Sequence, residues 1–331
     1  MAPSYSETYT TFVSSTLNAR MPDVVSQIRI DNPLLAWALS HKKPQVGGRN
    51  VFIPLEYGQH TTSFKRALGR GGSIPIAQDE IITECWYSWT TYGHGMCRYR
   101  DDDLENTGKY QVFNKLRADI DNMIYTFKQG MELDLLSTES TGANKFCGLR
   151  GLVEDVDCAA TATTQTAGSN TVGNLARTTY PWFTNWGRNM TGLDPGSNLT
   201  YYMREACNNV QHYTGALPEV IITHYVAKDL YEDECGETLR TMQVNLGDIG
   251  YKLVEWKGIP FLTSPQATTT RMYFMGKNTV ELMYEPRMWF KSTPWKPLIQ
   301  QPFDYVQQVL AKGQFCIKKP RGCSVIYNIN N

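Results

Sequence analysis

The clearest hydrophobic period in the chain lies between residues 110 and 136. Apolar residues recur there at spacings of three and four, the pattern of one buried face on an α-helix. The positions on this predicted face are Phe113, Leu116, Ile120, Ile124, Phe127, Met131 and Leu135. At about 1.5 Å per residue the helix would be about 40 Å long, well above the mean helix length. We expect it to form the core of a domain, and we call it the spine helix.

Two strand-like segments precede the spine helix. Residues 51–57 and 81–99 are rich in β-branched and aromatic residues, and a polar, glycine-rich stretch separates them. We interpret residues 81–99 as one long strand, so the pair predicts a projecting hairpin with its tip at residues 58–80. A two-stranded hairpin has little core of its own, so we expect it to need a partner chain.

The tip of this hairpin carries charge of one sign. Residues 57–78 contain one lysine, two arginines and no acidic residue. Because the apolar residues of the tip would gain most by burial against another chain, we expect the tip to dock on a neighbouring subunit. The residues predicted to make this contact are Phe64, Lys65, Arg66, Leu68 and Arg70.

The rest of the chain divides into an arm, an alternating region and a strand-rich end. Residues 1–30 are polar and rich in serine and threonine, which predicts an extended arm, and Asn32 and Pro33 then begin a short helix. Helices alternating with strands beyond residue 199 predict a mixed sheet covered by helices. The predicted elements are helices over 199–214 and 224–234 and strands over 219–223, 251–256, 259–263, 272–275, 280–284, 308–316 and 324–329.

Composition narrows the class of protein. The 331 residues include 32 basic and 32 acidic residues, 41% apolar residues and 12% aromatic residues. A neutral chain with so many aromatic residues is neither disordered nor collagen-like, and it is poorly suited to condensing nucleic acid by bulk charge. The first twenty residues lack the apolar segment of a secretory signal, and no run of 18 apolar residues occurs. We therefore expect a chain that folds in a cytosol, without a membrane partner.

Motifs for catalysis, cofactors and metals are absent from the sequence. The chain lacks a phosphate-binding glycine loop, a GxSxG elbow, an HExxH motif and a CxxC motif. His94 and Cys97 form the best remaining pair, but residues three apart on a strand point to opposite faces. We therefore predict no catalytic, cofactor-binding or metal-binding residue.

Eight cysteines are scattered along the chain. In a cytosolic protein such residues are mostly buried small hydrophobes. Cys316 and Cys323 flank a predicted turn between strands, so they would face each other across a hairpin, and we expect both to be free thiols.

Charge is unevenly distributed along the chain. Residues 101–139 carry nine acidic and four basic residues, whereas residues 287–321 carry seven basic residues and one acidic residue, Asp304. One interpretation is that these charges lie on solvent-exposed faces and keep the protein soluble. The other is self-complementary association, in which a basic surface of one copy meets an acidic surface of another.

Several stretches of the chain resemble the tailed-phage major capsid proteins of the Hong Kong 97 fold. The resemblance covers residues 20–329, and the order of the elements matters more than any one motif. It is carried by the stretches Val51–Gly58, Ile81–Tyr99, Pro218–Thr223, Trp256–Phe261, Met272–Thr279, Tyr284–Phe290 and Thr293–Pro297.

The resemblance implies an α+β fold with a defined division of the chain. The divisions implied are an N-terminal arm (1–48), an extended β-hairpin loop (49–99), a peripheral domain with the spine helix (100–139), a mixed α/β axial domain (140–285) and a return to the peripheral domain (286–331). The short arm leads us to expect a separate scaffolding protein.

The function implied is that of a structural major capsid protein. Copies would assemble into the pentamers and hexamers of an icosahedral shell that encloses double-stranded DNA without sequence specificity. A portal and a decoration protein are further partners that the resemblance allows, and the protein would assemble in the host cytoplasm and reside in the virion capsid. Two alternatives stay open: an encapsulin-like nanocompartment shell, and a cytosolic α/β enzyme that uses a cysteine nucleophile. Electron microscopy separates the shell proteins from the enzyme.

Overall fold

Two six-stranded sheets organise the part of the chain that the structure describes, with two smaller two-stranded sheets beside them. The computed structural model describes residues 32–58, 80–100, 115–142, 145–158, 168–235, 255–298 and 304–329. The helices are α1 (Pro33–Ser40), α2 (Lys115–Leu135), α3 (Leu149–Leu152), α4 (Pro195–Thr214) and α5 (Tyr225–Cys235). The strands are β1 (Lys42–Pro44), β2 (Asn50–Glu56), β3 (Ile82–Ser88), β4 (Thr90–Arg98), β5 (Thr171–Val172), β6 (Leu175–Ala176), β7 (Trp186–Asn189), β8 (Val220–Thr223), β9 (Glu255–Trp256), β10 (Ile259–Thr263), β11 (Arg271–Met275), β12 (Val280–Tyr284), β13 (Lys291–Ser292), β14 (Lys296–Pro297), β15 (Tyr305–Ile317) and β16 (Cys323–Tyr327).

The first sheet is built around the long strand β15. Strand β4 runs antiparallel to β15 from Arg98 opposite Tyr305 to Thr90 opposite Gly313. Strand β12 pairs with the C-terminal end of β15, and the short strands β13 and β14 pair with its N-terminal half. Strand β1 adds to the outer edge of β12 in parallel, so the segment after α1 is attached to this sheet.

The second sheet has the strand order β7-β16-β11-β8-β10-β9 and mixes parallel and antiparallel pairs, as the alternating pattern predicted. Every residue of β8, β11 and β16 is buried, as expected for strands covered on both faces. Ile222 and Tyr273 pack in a cluster that includes residues of α2, whereas Ile221 and Phe274 pack in a second cluster with α4 and α5. The sheet therefore separates two hydrophobic cores.

Strands β2 and β3 form an antiparallel ribbon, the base of the predicted hairpin. The prediction of one strand over residues 81–99 is wrong, because the strand is interrupted at Trp89 and continues as β4 in the first sheet. The interruption has a physical cause. The carbonyl of Ser88 accepts a hydrogen bond from Gln314 Nε2 at 2.7 Å, and the indole of Trp89 donates to the carbonyl of Gly48 at 3.1 Å.

The spine helix is α2 from Lys115 to Leu135, and residues 110–114, predicted as its start, lie outside the described residues. Phe127, Met131 and Leu135 are buried as predicted. Ile120 is half-buried, Phe113 is outside the described residues, and the side chain of Leu116 is not among those described.

One position of the predicted apolar face is wrong. Ile124 has 38% of its surface exposed, and Met123 is buried in its place. The buried row runs Met123, Phe127, Met131, Leu135, in steps of four residues. Four residues rotate about 400° around a helix of 3.6 residues per turn, so the buried row winds slowly around the axis and Ile124 lies beside it.

The hairpin predicted between Cys316 and Cys323 is also wrong. Cys316 lies in β15 opposite Glu281 in the first sheet, whereas Cys323 lies in β16 opposite Met275 in the second. A 3₁₀ turn, Pro320–Gly322, carries the chain from one sheet to the other. Both cysteines are buried free thiols, as expected. The domain boundaries at residues 48, 99, 139 and 285 stay a prediction.

Candidate assembly surface

The ribbon has a buried inner face and an outer face on which polar and apolar side chains are mixed. Val51, Ile53 and Leu55 are buried on the inner face, together with Cys85 and Tyr87 of the partner strand. The hydroxyl of Tyr87 donates to the carbonyl of Ile317 at 2.9 Å, which fixes the base of the ribbon to the end of β15.

The outer face of the ribbon leaves large apolar side chains exposed among polar ones. Phe52 is 50% exposed and Ile82 is 68% exposed. Phe52 lies directly opposite the half-buried Trp86, and Ile82 lies opposite Glu56. We call Phe52, Ile82 and Trp86 the outer ribbon face. Exposed apolar side chains on a two-stranded projection make this face a candidate interaction surface.

A pocket of about 410 Å³ opens where the ribbon meets the second sheet. Tyr57 stacks on Trp182 with ring centroids 5.3 Å apart and an interplanar angle of 18°, forming one aromatic wall. The turn between β15 and β16 supplies the opposite, cationic side with Lys319 and Arg321, and Tyr213 at the end of α4 lies between them. We call this cavity the basal pocket.

Two cations of the basal pocket have no acidic partner among the described residues. Lys319 Nζ donates to the carbonyl of Tyr213 at 2.6 Å, and the Arg321 guanidinium lies 5.4 Å from the centre of the Tyr213 ring. Arg321 Nε is buried and has no hydrogen-bond partner among the described residues. Lys318 differs, because it shares the buried carboxylate of Glu281 with Lys43.

Three acidic residues hold the segment that follows α1. His41 Nε2 lies 3.0 Å from Glu219 Oε1, and Lys43 pairs with Glu281. The backbone N–H of Gly47 donates to Glu285 Oε2 at 2.7 Å. Because these carboxylates come from the start of β8 and from either end of β12, they attach this segment to both sheets.

A buried carboxylate joins α1, the spine helix and the second sheet. Glu132 is fully buried, its Oε2 accepts from the backbone N–H of Leu35 at 3.0 Å, and its Oε1 accepts from Ser264 Oγ at 2.7 Å. The predicted cap Asn32 makes no capping hydrogen bond with its side chain. Glu132 therefore caps α1 from a distant helix, and its negative charge lies at the positive end of that helix.

We expect Glu132→Ala to lower the free energy of unfolding by about 2–4 kcal/mol. The change leaves the Leu35 N–H and the Ser264 hydroxyl buried without an acceptor, and each such group costs about 1–3 kcal/mol. Glu132→Gln is the matched control, because it keeps the shape and one acceptor oxygen. Urea denaturation of both variants measures the difference, and equal stability of the two variants would show that the hydrogen bonds do not matter.

The same residue makes stability depend on pH. Burial raises the pKa of Glu132 above its usual 4.5, against the opposing effect of its hydrogen bonds from Ser264, Leu35 and Leu34. The folded state therefore keeps the proton at pH values where the unfolded state has lost it, and stability falls as pH rises from about 4.5 through the folded pKa. We expect the stability of Glu132→Gln to rise relative to the parent over that range. A constant difference between pH 4 and pH 8 would contradict this.

A buried arginine holds the loops beneath the ribbon. Arg177 is fully buried; its Nε donates to the carbonyl of Phe183 at 3.0 Å and its Nη2 to the carbonyl of Leu152. Its Nη1 lies 3.3 Å from both Glu154 Oε2 and Asn185 Oδ1. Burial lowers the pKa of Arg177, and the neighbouring Glu154 charge opposes that shift. Since Phe183 and its neighbour Trp182 line the basal pocket, this network fixes the wall of the pocket.

The residues predicted for the hairpin tip lie outside the described residues, and their contact with a neighbouring subunit stays a prediction. They are Phe64, Lys65, Arg66, Leu68 and Arg70. The basal pocket and the two buried charged residues, Glu132 and Arg177, were not predicted. The basic stretch 287–321 was the one sequence feature that pointed toward the pocket.

The pair that the sequence analysis singled out as the best catalytic candidate, His94 and Cys97, lies on strand β4. His94 is half-buried and Cys97 is exposed, on opposite faces of β4. Burial raises the pKa of the Cys85 and Cys207 thiols to about 12 and that of Cys323 to about 11. Among the described residues, no three His, Cys, Asp or Glu side chains cluster as metal ligands would. No helix in that part of the chain is long and apolar enough to span a membrane.

Comparison with known proteins identifies the fold. No family model matches the chain, and no curated protein matches its sequence. A chain of the cyanophage A-1(L) capsid asymmetric unit superposes with a TM-score of 0.68 at 15% identity, covering 94% of this chain and 96% of that one. The SrpI encapsulin from Synechococcus elongatus PCC 7942, solved as its holo complex, gives 0.61 at 12% identity over 96% and 95% of the two chains. The capsid of a native GTA particle gives 0.59 at 11% identity over 94% of each chain.

The three superpositions cover almost the whole length of every chain compared. Helices and strands therefore follow one another in the same order as in capsid proteins and in the encapsulin. The predicted α+β architecture of the Hong Kong 97 type is confirmed.

Proposed function

We propose that this chain is a major capsid protein, whose copies assemble into the pentamers and hexamers of an icosahedral shell. The observation that carries the proposal is the full-length structural similarity to shell-forming chains. Since one fold can serve several functions, the proposal also needs local support from the surface of this chain.

The outer ribbon face supplies that support. A monomer leaves 50% of Phe52 and 68% of Ile82 in water, although covering the rest of each side chain would gain about 1–2 kcal/mol. A shell protein covers such a surface with the next copy, and repetition around a ring covers it on every copy. The proposed self-association therefore accounts for a feature that an isolated chain does not explain.

The shell encloses double-stranded DNA without reading its sequence. The chain has no net charge, and containment of DNA needs little attraction between protein and phosphate. We infer that assembly takes place in the host cytoplasm with a separate scaffolding protein and a portal, and that the protein then resides in the virion capsid; a decoration protein is a further partner that the fold allows.

An encapsulin-like compartment is the second candidate, favoured by the similarity to the SrpI encapsulin. The two candidates differ in what the shell contains. Purified particles that hold nuclease-protected DNA support a capsid, whereas particles that hold a cargo protein and no DNA support an encapsulin.

We propose a structural role without catalysis, in place of the cysteine enzyme. A nucleophilic cysteine needs a depressed pKa and access to solvent. Cys85, Cys207 and Cys323 have the opposite properties, since all three are buried and burial raises the pKa of each thiol. Cys97 is exposed, but His94 lies on the opposite face of β4 and is not placed to act as its base.

The double change Phe52→Ser with Ile82→Ser tests the proposed assembly. We expect it to leave the monomer folded, with a melting temperature within a few degrees of the parent, and to reduce closed particles at least about tenfold, because both contacts repeat in every subunit. Sedimentation velocity measures the particle fraction. The matched control is Tyr201→Ser with Tyr225→Ser, two exposed aromatic residues on α4 and α5. Equal particle yields from the ribbon variant and the parent would contradict the proposed role of this face.

A further inference from the structure

The basal pocket has an unsatisfied preference for negative charge. Lys319 and Arg321 have no ion-pair partner among the described residues, and Arg321 Nε is buried without a hydrogen-bond acceptor. Glu56 is the one acidic side chain among the described residues that line the pocket. The stacked rings of Tyr57 and Trp182 add an apolar wall. The complementary ligand is therefore a short peptide with several carboxylates and an apolar side chain.

The sequence contains such a peptide at residues 101–105, Asp-Asp-Asp-Leu-Glu. It has four carboxylates, one leucine and no basic residue. We propose that the basal pocket binds residues 101–105 of a neighbouring copy of this chain. This inference rests on the shell function proposed above and deepens it by naming one contact between subunits.

The position of the segment excludes binding within one chain. The backbone N–H of Arg100 donates to Asp304 Oδ1 at 3.2 Å, which fixes the start of the acidic segment beside the first residue of β15, Tyr305. The cations of the basal pocket follow the last residue of the same strand, Ile317. Thirteen residues at about 3.3 Å each separate the two ends by about 40 Å.

Five residues reach at most about 18 Å when fully extended, at up to about 3.6 Å per residue. Residues 101–105 are therefore too short to cross from Arg100 to the pocket of their own chain. This limit on reach does not apply between two copies, because residues 101–105 of the second copy can enter the basal pocket of the first.

The proposed contact joins the two ends of β15 in different copies and can therefore build a ring. The acidic segment 101–105 and the basal pocket are different surfaces, so the contact between copies is heterologous. Each copy places its segment in the pocket of one neighbour and binds the segment of another. Repeated heterologous contacts close into rings when the rotation between copies permits it. A ring of five or six subunits is the assembly unit that the shell requires.

Reversing the charge of the basal pocket and of the acidic segment, separately and together, tests the contact. Lys319→Glu with Arg321→Glu reverses the pocket, and Asp101→Lys, Asp102→Lys with Asp103→Lys reverses the segment. We expect either variant alone to lower the particle fraction at least about tenfold, and the combination of both to restore most of the loss. The control is Arg204→Glu with Lys257→Glu, which changes net charge equally at two exposed residues that do not line the pocket.

The outcomes separate this inference from the shell function. Parent-like assembly of the pocket variant, or no recovery in the combined variant, overturns the contact while leaving the shell proposal in place. Particles that form normally from the pocket variant but lose DNA indicate that the pocket binds phosphate, which also overturns the proposal. Failure of the parent to form particles when its scaffolding protein is supplied would count against the shell function. Melting temperatures near the parent value establish that each variant is folded.

Discussion

Arg177→Met is expected to lower the free energy of unfolding by about 3–5 kcal/mol, because removing one member of a buried ion pair leaves the other member uncompensated. Glu154 would lose its cationic partner. The carbonyls of Leu152 and Phe183 would lose the donor that satisfies them in the interior. Methionine fills a similar volume, so the loss reports the hydrogen bonds and the charge rather than a cavity.

The effect should extend to the basal pocket. Burial alone would raise the pKa of Glu154, but hydrogen bonds from Ser169 and Asn170 and the charge of Arg177 outweigh it and lower the pKa. Without the arginine, the loop carrying Trp182 and Phe183 loses its attachment. Chemical denaturation and tryptophan fluorescence measure the two effects. The matched control, Arg150→Met, replaces an exposed arginine and should change stability by less than about 0.5 kcal/mol. A similarly small loss for Arg177→Met would contradict the network described here.

Met131→Asp is expected to destabilise the chain by at least about 4 kcal/mol. Met131 is fully buried on the spine helix, and the change both removes a core side chain and buries a carboxylate. Losses of this size belong to the extreme of measured single mutations, so we expect the variant to fold poorly at 37 °C and to form no particles.

Ile124→Asp on the same helix provides the matched comparison. Ile124 is already 38% exposed in the single chain, so the introduced carboxylate stays hydrated and should cost about 1 kcal/mol or less. Thermal unfolding of both variants measures the contrast. A large loss for Ile124→Asp with a small loss for Met131→Asp would mean that the helix is rotated relative to the orientation described here.

Local sequence patterns predicted most of the helices and strands correctly. The spine helix and the strands β8, β10, β11 and β12 follow from short-range apolar periodicity, which depends on neighbouring residues. The phase of the spine helix was less predictable, because Met123 and Ile124 are both apolar and packing alone decides which one is buried. A strict spacing rule therefore selected Ile124, whereas the core contains Met123.

Features that depend on distant residues were not predictable. The break at Trp89 depends on Gln314, and the capping of α1 depends on Glu132, 97 residues beyond Leu35. Cys316 and Cys323 are close in sequence yet belong to different sheets, because the pairing of each strand is set elsewhere in the chain. The basal pocket likewise combines side chains from the ribbon, from α4 and from two loops, and no spacing in the sequence reveals that they meet.

Electron microscopy of the protein purified from cells that also supply its scaffolding protein tests the proposed shell most directly. A capsid function predicts closed particles of uniform size with five- and six-subunit rings resolved in their walls. A uniform population of monomers at every concentration would contradict it.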